Sequence, residues 1–372
     1  MRVLHVVATG QRRGAEVFAS DLVAALGRLG VDQSVAVLRA GPPAVSFDAP
    51  VDLLGAGGRP LPALRMHLGA VRALRALVRA RRPDLLQAHG GEALKYGLAA
   101  GGVPVVYRRI GSTAGWLNGG PRRLVYARLV RRAARVVAVS ETTGRETAEA
   151  FGLAPAKVVT IPNGVDPARL APRAGRAATR AAVGVAADAT AILSLGALSW
   201  EKDPLGHLET SAPLLARHPG AVHLFAGDGP LRGELAAAAG RLGLGGRVLV
   251  LGSRDDVGDL LAASDLMLFA SRTEGMPASV IEAGMAGVPV AGTALAGIPE
   301  VVVDGQTGLL AAPGDRDGLR AALDRLLGDG RLRAALGRAA RERCRDRFGI
   351  DAVAGAYHAL YEELAGAAWA AS

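Results

Sequence analysis

Short, uninterrupted apolar runs punctuate this chain, and they come in two successive series. The first holds "VLHVVAT" (3–9), "SVAVLR" (34–39), "VDLLG" (51–55), "DLLQAHG" (84–90), "PVVYRRIG" (104–111), "VVAVS" (136–140) and "VVTIPNG" (158–164). The second holds "AILSLGAL" (191–198), "VHLFAG" (222–227), "RVLVLG" (247–252), "LMLFAS" (266–271) and "VPVAGT" (288–293). A strand with one wet face alternates apolar and polar residues, whereas a run without alternation is buried on both faces, as in a parallel sheet. Parallel neighbours need long crossovers, and helical patterns such as 14–29 and 61–82 supply them. The expected fold is α/β, with two doubly wound open sheets over residues 1–168 and 188–349. Residues 166–188 lose periodicity and gain Pro, Gly and Arg, which reads as a linker. Three helices close the chain, at about 315–328, 330–347 and 350–366. The last segment, 350–372, is expected to pack back on the first domain.

Half of the 372 residues are hydrophobic, enough to bury two cores, but only 4% are aromatic, so Ala, Val and Leu must fill them. No apolar run approaches the ~20 residues that span a bilayer. The opening run breaks at Gly10 into "QRRGAE", as a buried first strand does and a signal peptide does not. Cys344 stands alone, which excludes an intramolecular disulfide and a cysteine metal site. A cytoplasmic protein is expected, with no nucleic-acid partner. The net charge of +10 is unevenly placed: residues 1–170 carry 24 basic and 11 acidic side chains, and the remainder 20 and 23. The first half is the electropositive one.

Ligands of open α/β sheets bind beyond the carboxyl ends of the strands. If the two sheets face each other, Gly10–Gly14, His89, Arg109 and Ser140 line one wall. Gly196–Lys202, Gly227–Gly229, Gly252–Arg254 and the turn after residue 271 line the other. That turn, "SRTEGMPASVIEAGMAGVPVAG" (271–292), holds two carboxylates, Glu274 in the turn and Glu282 on the helix it launches. Pro277 suits the first helical position. The N–H groups of Ala278, Ser279 and Val280 are then orphan donors at a positive dipole end, suited to a pyrophosphate. Glu282 reads equally as a ligand for a vicinal diol or as a salt bridge at the edge of the core. Lys202, one of three lysines, reads as a point charge for a phosphate or as a solvated turn residue beside Glu201 and Asp203. "FAGDGPLRGEL" (225–235) is a loose glycine loop whose backbone approaches either a neighbouring strand or a ligand. "ATGQRRGAE" (8–16), with Gly10 and Gly14, is a comparable anion-compatible loop. His89 is a base, a ligand or a helix-entry polar residue, and the Gly-Gly after it favours exposure. The sequence Asp315-Arg316-Asp317 has the spacing of a metal motif, but Asp315 follows Pro-Gly and opens a helix, so capping is the better reading.

Taken together these segments resemble the retaining, GT-B-fold glycosyltransferases of family 4. The similarity runs from "GAEVFASDLVAAL" through "VVAVSETTGRETAEAFGLAPAKVVTIPNGVD" to "FAGDGPLRGEL", "LGSRDDVGDLLAASDLMLFASRTEGMPASVIEAGMAGVPVAG" and "GIPEVVVDGQTGLLAAPGD". Glu274-x7-Glu282 matches the family's paired-glutamate signature. The resemblance implies two Rossmann-like domains facing each other across a cleft and a nucleotide-diphospho-sugar donor, with no metal and no cofactor. It implies that Glu282 binds the ribose, Glu274 lies at the donor sugar, and Gly275, Met276, Pro277, Ala278, Ser279 and Val280 cradle the pyrophosphate. Lys202 would meet the phosphates, the "GSRDD" loop near Arg254 would hold the base, and Gly227 would belong to the donor site. Gly10, Gly14, His89 and Arg109 would face the acceptor. Two departures stand out: Ala197 replaces a common arginine that is paired with the lysine, and Arg109 occupies the region of a common histidine near the sugar.

The acceptor, a small molecule or a lipid-linked saccharide, is not named by these residues. Basic helical stretches at 61–82 and 121–135 would suit an anionic membrane surface at the inner face, or be ordinary surface helices of an arginine-rich chain. A nicotinamide oxidoreductase would need G-x-G-x-x-G after the first strand, which is lacking. A cofactor-lysine phosphorylase would have only Lys202 in its second domain. A sugar-nucleotide epimerase and a non-catalytic sugar-nucleotide-binding protein are the remaining alternatives.

Overall fold

The structure is a computed structural model that describes residues 1–42, 45–57, 66–111 and 121–370, with the backbone alone at 121–122 and 367–370. Residues 61–65, with Arg65, and the side chain of Arg122 therefore lie outside the described residues of the two expected basic helices. The chain divides into two units, Met1–Gly164 with Ile350–Ser372, and Val165–Gly349.

The first unit runs β1 (Arg2–Thr9), α1 (Gly14–Arg28), β2 (Asp32–Arg39), β3 (Val51–Leu53), α2 (Leu68–Arg81), β4 (Leu85–His89) and α3 (Gly91–Ala100). It continues through β5 (Val105–Arg109), α4 (Pro121–Arg132), β6 (Arg135–Ala138), α5 (Glu141–Phe151) and β7 (Val158–Thr160). Its strands are all parallel, in the order β3-β2-β1-β4-β5-β6-β7. Every residue of β4 and β5 is buried, which is why those runs show no alternation.

The second unit holds α6 (Arg176–Ala182), β8 (Thr190–Leu195), α7 (Pro204–Arg217), β9 (Ala221–Ala226), α8 (Arg232–Arg241), β10 (Val248–Gly252), α9 (Val257–Ala263) and β11 (Leu266–Phe269). It ends with α10 (Ala278–Ala286), β12 (Val290–Thr293), α11 (Ile298–Val301), β13 (Gly308–Ala311), α12 (Arg316–Gly328) and α13 (Gly330–Phe348). The parallel order is β10-β9-β8-β11-β12-β13. The four-residue β13 is not among the sequence-expected strands, because "GLLA" sits between a turn and Pro-Gly and is too short to show a period.

The last helix, α14 (Ile350–Ala370), belongs to the first unit, where Ile350, Val353, Tyr357 and Tyr361 join the core around Phe18, Leu22, Leu85 and Val106. The expected linker 166–188 is instead an ordered part of the second unit. Arg180 of α6 is 3% exposed and spends its guanidinium on the carbonyls of Ala263, Ala186, Ala187 and Ala189 and on the Asp265 carboxylate. The arginine that made this segment look solvated is what fastens it.

Candidate active site

In the second unit the chain winds away in opposite directions from the adjacent strands β8 and β11, so the loops leaving them part at their carboxyl ends and leave a crevice. Those loops are stitched together. Arg272 N–H donates to Glu201 O at 2.8 Å, the Arg272 guanidinium donates to Asp203 at 2.8 Å, and Lys202 Nζ donates to Glu274 Oε1. Lys202 lies 5.6 Å from the Phe269 ring and keeps 30% of its side chain exposed, against 10% for Glu274. Glu274, expected at the donor sugar, is thus held by the lysine of the neighbouring loop.

A third loop braces the turn: Gly297 N–H donates to Gly275 O at 2.8 Å, and its neighbour Ala296 is held at φ +48°. Such a φ strains any residue with a Cβ. Met276 is buried. Pro277 is the N-cap of α10 rather than its first residue, with φ −73° and ψ 123°. Val280 N–H, expected to await an anion, already turns back to Pro277 O at 3.2 Å, because the first turn tightens. Ala278 and Ser279 open the helix ahead of it. One turn on, Glu282 is 7% exposed among buried Val280, Ile281, Ala283 and Met285. Its Oε1 accepts from Arg169 Nη2 at 2.7 Å.

Behind this site a chain of neutral groups fixes the end of β11. Ala270 N–H donates to His207 Nε2 at 2.9 Å, so the proton of the neutral ring sits on Nδ1, 2.7 Å from Ser194 Oγ. Ser194 Oγ reaches His223 Nε2 at 2.9 Å, and His223 Nδ1 lies 2.8 Å from Ser211 Oγ. Burial pushes His207 down to about 4 and His223 well below the ordinary histidine range.

The glycine loop after β9 serves its neighbour. A Cβ on Gly227 would stand 1.8 Å from Gly196 O, and Gly227 N–H donates to Gly252 O at 2.8 Å. These glycines let three strand-end loops touch. Arg254 turns back on Asp256, with Nε–Oδ1 at 2.8 Å and Nη2–Oδ2 at 2.5 Å. Asp315 caps α12 by accepting from Gly318 N–H at 2.8 Å, and Asp317 pairs with Arg320 at 2.7 Å.

The first unit departs further from expectation. His89 is 4% exposed rather than displayed by the glycines after it. It stacks on His5 with ring centroids 5.4 Å apart, packs near Phe18, and sits 3.1 Å from His5 Nδ1 through Nε2. Successive residues of a strand point to alternate faces, both buried here, and His89 shares with His5 and Leu85 the face covered by α1 and α14. Arg109 is likewise buried, its guanidinium 5.9 Å from the Phe151 ring. Ser140 is fully buried and caps α5, accepting from Thr143 N–H at 3.0 Å. Gly10 spends both backbone groups, donating to Arg39 O and accepting from Val45 N–H, while Gly14 opens α1 with space around it.

Sequence reasoning passed over Arg169, His207 and Gly297. The only signals were an arginine just after "PNGVDP", a histidine in the helix following "SWEKDP" and the loop "ALAGIPE". Each acts through a partner distant in sequence.

An open α/β sheet whose switch-point loops bring together a lysine, a turn carboxylate and a helix N terminus defines a nucleotide-binding class of fold. As a whole the chain has the fold of Anabaena Alr3699/HepE, solved in complex with UDP-glucose: TM-score 0.83, 24% identity, 98% of this chain and 100% of that one covered. Residues 12–169 match the model described as Glycosyltransferase Family 4, and residues 176–343 the model described as Glycosyl transferases group 1. The glycogen synthase of Mycobacterium tuberculosis is 30% identical over 295 residues, 76% of this chain and 69% of that one. The N-acetyl-alpha-D-glucosaminyl L-malate synthase of Bacillus anthracis is 38% identical over 141 residues, 38% of this chain and only 37% of that protein's length. The chain belongs to the family 4, group 1 glycosyltransferases.

Proposed function

We propose that this protein transfers a sugar from a nucleotide-diphospho-sugar to a hydroxyl acceptor, with retention at the anomeric carbon. The observation that carries the reading is the meeting of Lys202 and Glu274 across the switch-point loops, directly before the N terminus of α10 and one turn from Glu282. In the reaction the bond from the anomeric carbon to the phosphate oxygen breaks. The acceptor oxygen forms its bond on the same face and passes its proton to the leaving phosphate oxygen. Lys202 and the α10 dipole meet the charge growing on the departing diphosphate. Glu282 takes the ribose diol and Glu274 lies at the sugar. In this scheme no metal carries the diphosphate charge. Ala197 leaves that role to Lys202, since Arg254 is committed to Asp256. The donor complex of the structural neighbour, with UDP-glucose, supports a uridine donor as the first to try.

The acceptor side belongs to the first unit. A membrane-bound acceptor is favoured by α4, where Leu124 (73% exposed) and Val125 (49%) stand in an arginine-rich helix. The basic face of α2 is partly consumed, because Arg75 donates to the carbonyls of Ala99 and Ala100. Among the described residues no helix is long and apolar enough to cross a membrane.

The test is thermal stabilisation by UDP, ADP, GDP and their glucose conjugates, with Glu282→Gln in parallel. A nucleotide at 100 times its dissociation constant should add about 2.7 kcal/mol. Stabilisation of the wild type by one nucleotide, weakened in the variant, is the expected outcome. No response from the wild type to any of them would overturn the reading.

A further inference from the structure

Glu282 does not stand alone. Its partner, Arg169, comes from the 3-10 turn Pro167–Leu170, which follows immediately on the passage from the first unit into the second. That turn is stiff. Asp166 caps it by accepting from Ala168 N–H at 2.9 Å, and Pro167 fixes its first φ. Its end is wedged against α9, where Leu170 is 8% exposed and a Cβ on Gly258 would stand 2.5 Å from Leu170 O. Only a glycine on α9 lets the turn sit so close.

Both charges of the Arg169–Glu282 pair are largely withdrawn from water, with 20% and 9% of their side chains exposed. Two such charges cost desolvation, and one guanidinium nitrogen on one oxygen at 2.7 Å is a contact that fixes direction. A carboxylate accepts about four hydrogen bonds, so occupation of Oε1 from one side leaves capacity for a vicinal diol. On α10 the buried neighbours Val280, Ile281, Ala283 and Met285 are apolar, and the hydrogen bond that the Glu282 carboxylate accepts comes from Arg169.

We propose that Arg169 is a positioning residue for the donor site: it holds the Glu282 carboxylate in the orientation that receives the nucleotide's ribose diol. The inference rests on the ribose role given to Glu282 above. It makes the segment that joins the two units a working part of the nucleotide site. The arginine stays on the carboxylate when the nucleotide binds.

The experiment compares UDP and ADP with their 2′,3′-dideoxy forms by calorimetry on the full-length protein, for wild type, Arg169→Met, Arg169→Gln and Arg169→Lys. The wild type should prefer the ribonucleotide by about tenfold, the value of one good charged hydrogen bond. Arg169→Met should bring that preference to within about twofold, with Arg169→Lys in between. A general loss of packing would lower the melting temperature and both affinities but leave their ratio alone. If the methionine variant does not fold, Arg169→Gln decides the point by the same ratio. A wild-type ratio retained in Arg169→Met, or tighter nucleotide binding by it, overturns the proposal and leaves the ribose role of Glu282 standing. A wild type that binds both forms equally overturns the ribose role and the proposal with it.

Discussion

At the carboxyl end of the second sheet Lys202, Arg169, Arg272 and Arg254 each face a carboxylate; in the first unit Arg108, near the end of β5, faces an aromatic ring and an amide. Its guanidinium lies 3.7 Å from the Phe18 ring centroid and donates to Asn163 at 2.5 Å, with 1% of the residue exposed. Among the described residues, its Nε and Nη1 are buried without a hydrogen-bond partner, and so is Nδ1 of nearby His89. The cations of the second unit keep 20–44% of their side chains exposed and are answered by charge. The first unit has sealed its cation inside the layer of α1 and α14. The strand ends of the two sheets are therefore filled differently, by ion pairs that keep contact with water in the second unit and by a buried cation in the first. Solvent contact and the nature of the partner tell them apart.

Acid destabilises both units through their buried histidines, and this is the largest effect expected. Burial lowers His5 and His207 to about 4, from about 6.5 in the unfolded chain. Between those values only the unfolded chain takes up the proton. The stability these histidines hold is therefore complete above pH ~6.5 and is lost as the pH falls toward ~4, by about 3 kcal/mol for each. Urea midpoints at pH 7.5 and 5.0 should differ sharply, and His5→Gln and His207→Gln should each flatten the pH profile. Equal midpoints at the two pH values would contradict the buried neutral state.

Methionine substitutions sharpen the contrast at a smaller scale. Lys202→Met leaves Glu274 short of its cation and should cost about 1–3 kcal/mol, along with the thermal response to nucleotide. Arg108→Met replaces an under-partnered buried charge with an apolar chain of similar volume. It should be neutral or stabilising by about 1–2 kcal/mol in calorimetric melting. Equal destabilisation by the two would remove the distinction drawn between the units. The smallest effect belongs to Ala296→Gly, which relieves a left-handed backbone beside the Glu274 turn. It should raise stability by about 0.5–1 kcal/mol and leave nucleotide affinity unchanged.

Much of the fold was legible, because strands buried on both faces write themselves as apolar runs. That Lys202 and Glu274 stand on strand-end loops was legible too, since the apolar runs before them are local signals. The direction a buried polar side chain takes was not. His89 and Arg109 end their strands as site residues would, yet each turns toward the core. Nor could local reading pair Arg169 with Glu282, because their partnership exists only after α9, α10 and the 3-10 turn have packed. The segment 166–188 misled for the same reason: Arg180 looks like a surface residue until four carbonyls and Asp265 converge on it.

The return of α14 to the first unit has a consequence for how the chain is made. The second unit is contiguous and has all its residues once Gly349 has left the ribosome. The first begins earlier but lacks Tyr357, Tyr361 and the rest of the helix that covers Phe18 and Leu85 until the residues after Gly349 have followed. Multidomain chains usually fold from the N terminus onward. Here the later half is the one able to finish first, and the earlier half must wait, with an apolar face open, for the last helix to arrive.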